Sequence, residues 1–239
     1  YNTIVTLKKG EGRTIKSGGA WIFDNEIETI MGRFTNGDIV TVHDFDGYPM
    51  GNGFINQNSK IRIRMMTRKA DQAIDHDFLT MRVKNAWDYR KTTVDTSSCR
   101  IIFGEADYLP GLVIDKYEDV MVVECLALGM EAFKEEIVEI LKELLLKDGI
   151  LIRGVYERSD ANERTKEGLP KVKGFIGDEF DTTVEIIENG VIFCNFHRFE
   201  SCLVAHSNNE QIRTGRFRKF ATLCFHNKLK SFKSHSEAE

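Results

Sequence analysis

The sequence predicts an α+β protein: a small N-terminal β-barrel followed by a second, mixed unit. Three observations carry this. Residues 1–70 are short β-rich runs broken by turns, the middle of the chain holds two amphipathic helices, and the strands around those helices are short and closely spaced. At 239 residues, 41% hydrophobic and 29% charged, the chain has the composition of ordinary globular domains. It has no run of about eighteen apolar residues, so no transmembrane helix is expected, and its first residues lack the apolar centre of a signal peptide. Five irregularly spaced cysteines suggest reduced thiols and a cytoplasmic setting.

Each element follows from its own pattern. Asp38–His43 (DIVTVH) is rich in β-branched residues and leads to a tight turn at Asp46-Gly47. Gly51–Asn56 and Lys60–Met66 (KIRIRMM) follow; in the latter, period-two alternation buries the isoleucines and places Arg62 and Arg64 on the opposite face. Residues 74–91 read as a helix with Phe78, Leu79, Val83, Ala86 and Trp87 on its apolar side. Strands are expected at Cys99–Phe103 and Val120–Leu126, joined through the stretch GEADYLPGLVIDKY. Residues 131–147 are the clearest helix, with an inner stripe of Phe133, Ile137, Ile140, Leu141, Leu144 and Leu145 stopped by Gly149. Ile150–Tyr156 reads as a strand, residues 158–170 as a polar loop, and Glu185–Phe193 as a hairpin turning at Asn189-Gly190.

From Asn195 the character changes, and neither helical nor strand periodicity is sustained. Eight of the 33 Lys/Arg and four of the 37 Asp/Glu fall in residues 195–239, a net charge of +4 against −8 for the first 194. Overall charge therefore decides nothing about nucleic acid, whereas local patches can. Three of the five cysteines and four of the six histidines lie from Cys194 onward. The spacing of Cys194, His197, Cys202 and His206 is loosely ligand-like but matches no common zinc finger, so no metal is expected.

Four ordered blocks resemble one family: GRTIKSGGAWIFDNEI, GDIVTVHDFDGYPMGNGFINQNSKIRIRMM, RIIFGEADYLPGLVIDKYEDVMVVECLALGM and GVYERSDANERTKEGL. They are similar to the first two-thirds of the S-adenosylmethionine-dependent large-subunit (23S) rRNA cytosine-C5 methyltransferases. The resemblance implies a PUA-like RNA-binding domain over 1–72 and a strand-strand-helix-strand central domain over 73–193. A Rossmann-like methyltransferase domain would come last. Within the GEADYLPGL segment, Glu105, Asp107 and Asp115 either pair for acid–base work or cap turns by accepting backbone N–H groups, the commoner use.

Cytosine-C5 methylation needs a cysteine thiolate that adds to the base and a glycine-rich turn that holds the cofactor. After Asn195 the only glycine is Gly215, and no proline follows Pro170. A βαβ unit takes about 30 residues, so the last segment is too short for a doubly wound sheet. No complete Rossmann domain is expected, nor catalytic or cofactor-binding residues in this chain. Residues 194–239 read as an atypical basic tail standing in place of the catalytic domain, with a compositional break that suggests out-of-frame or degenerate sequence. S-adenosylmethionine belongs to the full-length family.

The expected partner is structured RNA, by the resemblance rRNA, with no membrane. Candidate RNA-binding residues are Lys16, Gly18, Gly19 and Trp21, from KSGGAWIF, with Arg62, Arg64, Arg68 and Lys69. Glycines let the backbone approach a phosphate, basic side chains supply sequence-independent attraction, and Trp21 either stacks on a base or sits in the core. The arginine pair reads equally well as a solvated strand face. A surface covered by the catalytic domain in the family would favour a homodimer if left open.

Overall fold

The computed structural model describes residues 1–188 and the strands Val191–Phe196 and Ser201–Ala205. The first 67 residues supply β1 (Ile4–Leu7), α1 (Arg13–Lys16), β2 (Trp21–Phe23), β3 (Ile27–Met31), β4 (Ile39–His43), β5 (Pro49–Ile55) and β6 (Ile61–Thr67). They form one sheet in the order β2-β6-β5-β4-β1-β3, antiparallel except for the β1–β4 pair. The edge strands β2 and β3 are joined by a short 3-10 turn at Asp24–Glu26, so the sheet rolls onto itself. Inside lie Val5, Leu7, Ile15, Ile22, Val40, Val42, Ile55 and Ile63, all at most 1% exposed. The turn foreseen at Asp46-Gly47 closes on Asp44, whose carboxylate accepts from the N–H groups of Asp46 (3.1 Å) and Tyr48 (2.9 Å).

The second unit contains α2 (His76–Thr93), β7 (Ser98–Phe103), β8 (Leu112–Tyr117), β9 (Val120–Cys125), α3 (Leu128–Glu131), α4 (Lys134–Lys147), β10 (Gly154–Ser159), α5 (Asn162–Lys166) and β11 (Val172–Ile176). Its sheet runs β11-β10-β9-β8-β7, with β9 and β10 parallel across the α3–α4 crossover and the other pairs antiparallel. Asp75 caps α2 by accepting from Phe78 N at 3.0 Å. Leu79, Val83 and Trp87 from α2 and Ile137, Leu141 and Leu145 from α4 share one core with Ile101, Leu112, Ile114 and Val123 of the sheet. Each such side chain contributes about 1.5–3 kcal/mol on burial.

That core reaches into the barrel. Phe54 and Met66, from β5 and β6, are each 1% exposed and belong to the second unit's cluster rather than to the barrel's. Gly129 in α3 makes this possible: a Cβ there would lie 2.1 Å from the Phe54 ring.

Four expectations change. The helix expected over 131–147 starts at Lys134, after a separate turn α3, with Phe133 between them packed against the core. The strand expected over Ile150–Tyr156 begins only at Gly154. The N–H groups of Gly149 and Ile150 bond back to the carbonyls of Leu146 (2.9 Å) and Leu145 (2.8 Å), and Ile150 and Ile152 pack on the core. The polar stretch 158–170 is not a plain loop but carries α5, where Arg164 is 1% exposed. The central domain is therefore five strands with helices, richer than strand-strand-helix-strand.

A third sheet pairs β12 (Val184–Glu188) with β13 (Val191–Phe196) and β13 with β14 (Ser201–Ala205), all antiparallel. Glu188 opposes Val191, as a two-residue hairpin connection requires; the expected turn residues 189 and 190 lie outside the described residues. The boundary drawn at residue 193 falls within β13, and β14 was not foreseen. The rest of the 194–239 segment lies outside the described residues, as do the side chains of Cys194, His197, Cys202, His206 and Cys224. Among the described residues no helix is long and apolar enough to cross a membrane, and no cluster of His, Cys, Asp and Glu is arranged to hold a metal.

Candidate nucleic-acid interface

Pairing of β2 with β6 sets Trp21 opposite Arg64 and Ile22 opposite Ile63. Alternation sends Ile22 and Ile63 into the barrel and leaves Trp21, Phe23, Arg62 and Arg64 on the outside. Trp21 and Phe23 are each 41% exposed, their rings edge to face with centroids 6.5 Å apart. Trp21 thus lies on a strand with its ring open to solvent, and it is not a core residue. Its Nε1 donates to Glu105 Oε1 at 2.7 Å.

Arg64 corrects the expectation of an exposed arginine pair. Its side chain is only 11% exposed, donating to Glu105 Oε1 (3.1 Å) and Glu167 Oε1 (3.0 Å), with the guanidinium 5.4 Å from the Trp21 ring centre. Buried opposite charges this close bind the barrel to the turn after β7 and to the end of α5. Asn56 joins the same junction, donating to Glu167 O (2.8 Å) and Oε2 (3.0 Å). Arg62 keeps partial exposure.

The remaining candidates gather at the end of the barrel where α1 leads into β2. Gly19 N donates to Thr14 O at 2.6 Å, and a Cβ at Gly19 would sit 2.8 Å from that same oxygen, so only glycine fits. Arg68 donates to Gly19 O at 3.4 Å and lies beside Gly18. Arg68 and Lys69 are exposed. Buried Asn52 fixes this exit from β6: its Nδ2 donates to the carbonyls of Ala70 and Gln72 (3.1 Å each) and Lys69 (3.4 Å). Lys16 is 60% exposed and held by Asp44 at 3.1 Å. The Tyr48 backbone N–H and then Lys16 hold the Asp44 carboxyl below its usual range. Gly18, Gly19 and Arg68 form one group and Trp21 and Arg64 another across the β2–β6 pair, while Lys16 and Lys69 are exposed apart from both.

The GEAD residues form a 3-10 turn at Gly104–Asp107, and their carboxylates are spent on arginines more than on caps. Asp107 takes both Arg90 nitrogens (2.8 and 2.6 Å) as well as Phe103 N (2.7 Å), and Asp115 holds Arg100 at 2.7 and 3.0 Å. Neither carboxylate is free for acid–base work. Sequence reasoning missed Asn52, Asn56 and Glu167. Their signal is weak, single polar residues whose partners lie far along the chain.

A second network lies behind the junction. Arg164 donates to Glu131 (2.8 and 3.0 Å) and to Cys125 O (2.6 Å), while Lys134 bridges Glu131 (2.8 Å) and Glu157 (2.8 and 2.9 Å). Burial opposes charge on Glu131, yet the bonds from Arg164 and Lys134 hold its carboxyl down to about 2.

The two cysteines whose side chains are described, Cys99 and Cys125, are both buried. Burial pushes the Cys99 thiol up to about 11 and Cys125 further still, so neither is a thiolate near neutral pH. The crossover from β9 into α3, where a parallel sheet would place a cofactor cradle, is filled by Phe54 against Gly129. These residues do not fit S-adenosylmethionine.

The barrel and its rim define a PUA-like domain: residues 5–68 match that family, which spans β1 to the end of β6. The wider chain is similar to a particular set of enzymes. Over 190 residues it is 36% identical to Ribosomal RNA large subunit methyltransferase I of Alteromonas mediterranea, and 35% identical to the protein of the same name from Pseudoalteromonas translucida. Each alignment covers 78% of this chain and 47% of the relative, so the chain spans about half the length of the curated relatives it matches. A putative SAM-dependent methyltransferase from Streptococcus mutans shares the fold at 15% identity, with a TM-score of 0.65 over 93% of this chain and 53% of that one. A putative methyltransferase complexed with SAH aligns with a TM-score of 0.64 over 93% and 52% of the two chains.

Proposed function

We propose that these residues are the RNA-holding part of a large-subunit rRNA cytosine-C5 methyltransferase. In this reading the PUA-like barrel and the central domain together grip structured rRNA, and methyl transfer from S-adenosylmethionine is not their own work. The observation that carries it is the barrel end where Arg68 lies on the Gly18-Gly19 turn that leads, two residues on, to exposed Trp21. A cation held on a turn free of side chains and an exposed aromatic face supply there the charge and the ring that phosphate and base contacts require. Similarity to rRNA methyltransferases supports the choice of RNA, and the raised Cys99 and Cys125 thiols support the separation of binding from chemistry.

The test is anisotropy of a labelled large-subunit rRNA fragment across a salt series. Lys16, Arg68 and Lys69 together give an expected slope of log K against log salt of roughly −2 to −3, at about 0.7–0.9 per phosphate contact. Absence of binding at low salt, or an affinity indifferent to salt, would overturn the reading.

A further inference from the structure

Two exposed aromatic rings, from different domains, are anchored to one residue. Trp21 of the barrel donates its indole N–H to the Glu105 carboxylate (2.7 Å), and Tyr108 of the central domain donates its backbone N–H to the Glu105 carbonyl (3.1 Å). Each ring is backed by an arginine: Arg64 lies 5.4 Å from the Trp21 ring centre and Arg82 lies 4.7 Å from that of Tyr108. Arg82 is held in turn by the Phe78 ring (4.9 Å) and the Met66 carbonyl (3.1 Å), so the Tyr108 ring rests on a fixed platform. Trp21 nevertheless stays 41% exposed and Tyr108 56%.

Tyr108 also sits in the left-handed region, at φ 58 and ψ 31. A bulky residue rarely takes that conformation, and glycine or asparagine would take it with less strain. Gly104 and Gly111 flank it, yet the position itself carries a tyrosine whose ring faces water. Nothing in the packing of the core asks for that ring.

We infer that Trp21 and Tyr108 form a two-domain binding site for unpaired nucleobases of the RNA. The inference rests on the RNA-binding reading above and adds what is recognised. Bases inside a duplex have both faces covered by their neighbours, so exposed rings select single-stranded loops and bulges, whose bases offer a free face. Arg82, behind the Tyr108 ring, places positive charge on the side of the ring away from the stacked base.

The chain's two tryptophans make the test direct. Trp87 is 2% exposed, so Trp21 is the one open to quenching by a stacked base. The probes are a transcribed RNA hairpin with a single-stranded loop and a blunt duplex of its stem. The hairpin is expected to quench tryptophan emission and the duplex not. Tyr108→Gly fits the same backbone and is expected to keep the melting temperature. It should weaken hairpin binding about tenfold, the loss of roughly one base stack, and leave duplex binding unchanged. Equal binding of hairpin and duplex, with Tyr108→Gly silent on both, overturns this inference while leaving RNA binding standing. Failure of the unaltered protein to bind either RNA overturns both.

Discussion

Arg64 separates a structural tie from an RNA contact, and the two roles predict different measurements. Arg64→Ala removes both partners' cation and leaves Glu167, 6% exposed, with only the Asn56 amide on its carboxylate among the described residues. Breaking a buried pair from one side typically costs 3–5 kcal/mol. Glu105 keeps 34% of its side chain in water and can rehydrate, so the lower end, about 3 kcal/mol, applies. For a chain of this size that lowers the melting temperature by ~6–12 °C. Most of the loss is the stranded charge on Glu167, so Arg64→Ala combined with Glu167→Gln should recover at least about 1 kcal/mol. Calorimetry on the four proteins of the cycle reads both quantities. RNA affinity measured across salt gives the second reading: a tie leaves the slope of log K against log salt unchanged. A melting temperature within about 2 °C of the parent, with the slope shallower by about one, would refute the argument and return Arg64 to the RNA-binding set.

Three other outcomes follow from the same geometry. Arg68→Ala with Lys69→Ala should lower RNA affinity and make the salt slope shallower by about two, while stability stays within about 0.5 kcal/mol by calorimetry. Glu131, held at about 2 against an ordinary 4.5, contributes stability that is complete above pH 4.5 and is lost as the pH falls toward 2. The amount is at most about 3 kcal/mol, reduced because 30% of the side chain remains in water, and Glu131→Gln should flatten that acid limb of a denaturation series. Gly129→Ala would drive a methyl to 2.1 Å from the Phe54 ring, so a loss of about 1–3 kcal/mol is expected in urea unfolding.

Strand β6 and helix α2 were legible because their apolar residues recur at the strand and helix periods. Ile63 against Arg62 and Arg64 fixes the face of β6, and Phe78, Leu79, Val83, Ala86 and Trp87 fix that of α2. Ile150 and Ile152 misled because an apolar residue reads the same whether it sits on a strand or packs as irregular chain below a helix end. Arg164 misled in the other sense. Its charge marks a loop by composition, yet Glu131, 33 residues earlier, neutralises it in the interior. At the barrel end, the tight Gly18-Gly19 turn and the exposure of Arg68 were legible since both are local. The role of Arg64 was not, because it depends on Glu105 and Glu167, which lie 41 and 103 residues further on. Trp21 was ambiguous for the same reason, its exposure being set by a partner from another domain.

Phe54 and Met66 have a consequence for how the chain comes apart. Both grow from barrel strands, but their side chains complete the neighbouring core. A barrel cut free at residue 72 would turn a phenylalanine and a methionine, each now 1% exposed, toward water, and the partner would keep a hole beneath Gly129. The two halves are thus expected to melt in one transition rather than two. Sharing those two side chains ties strands β5 and β6 to the central domain's core, so a strand displacement in the barrel is felt as a packing defect in its neighbour.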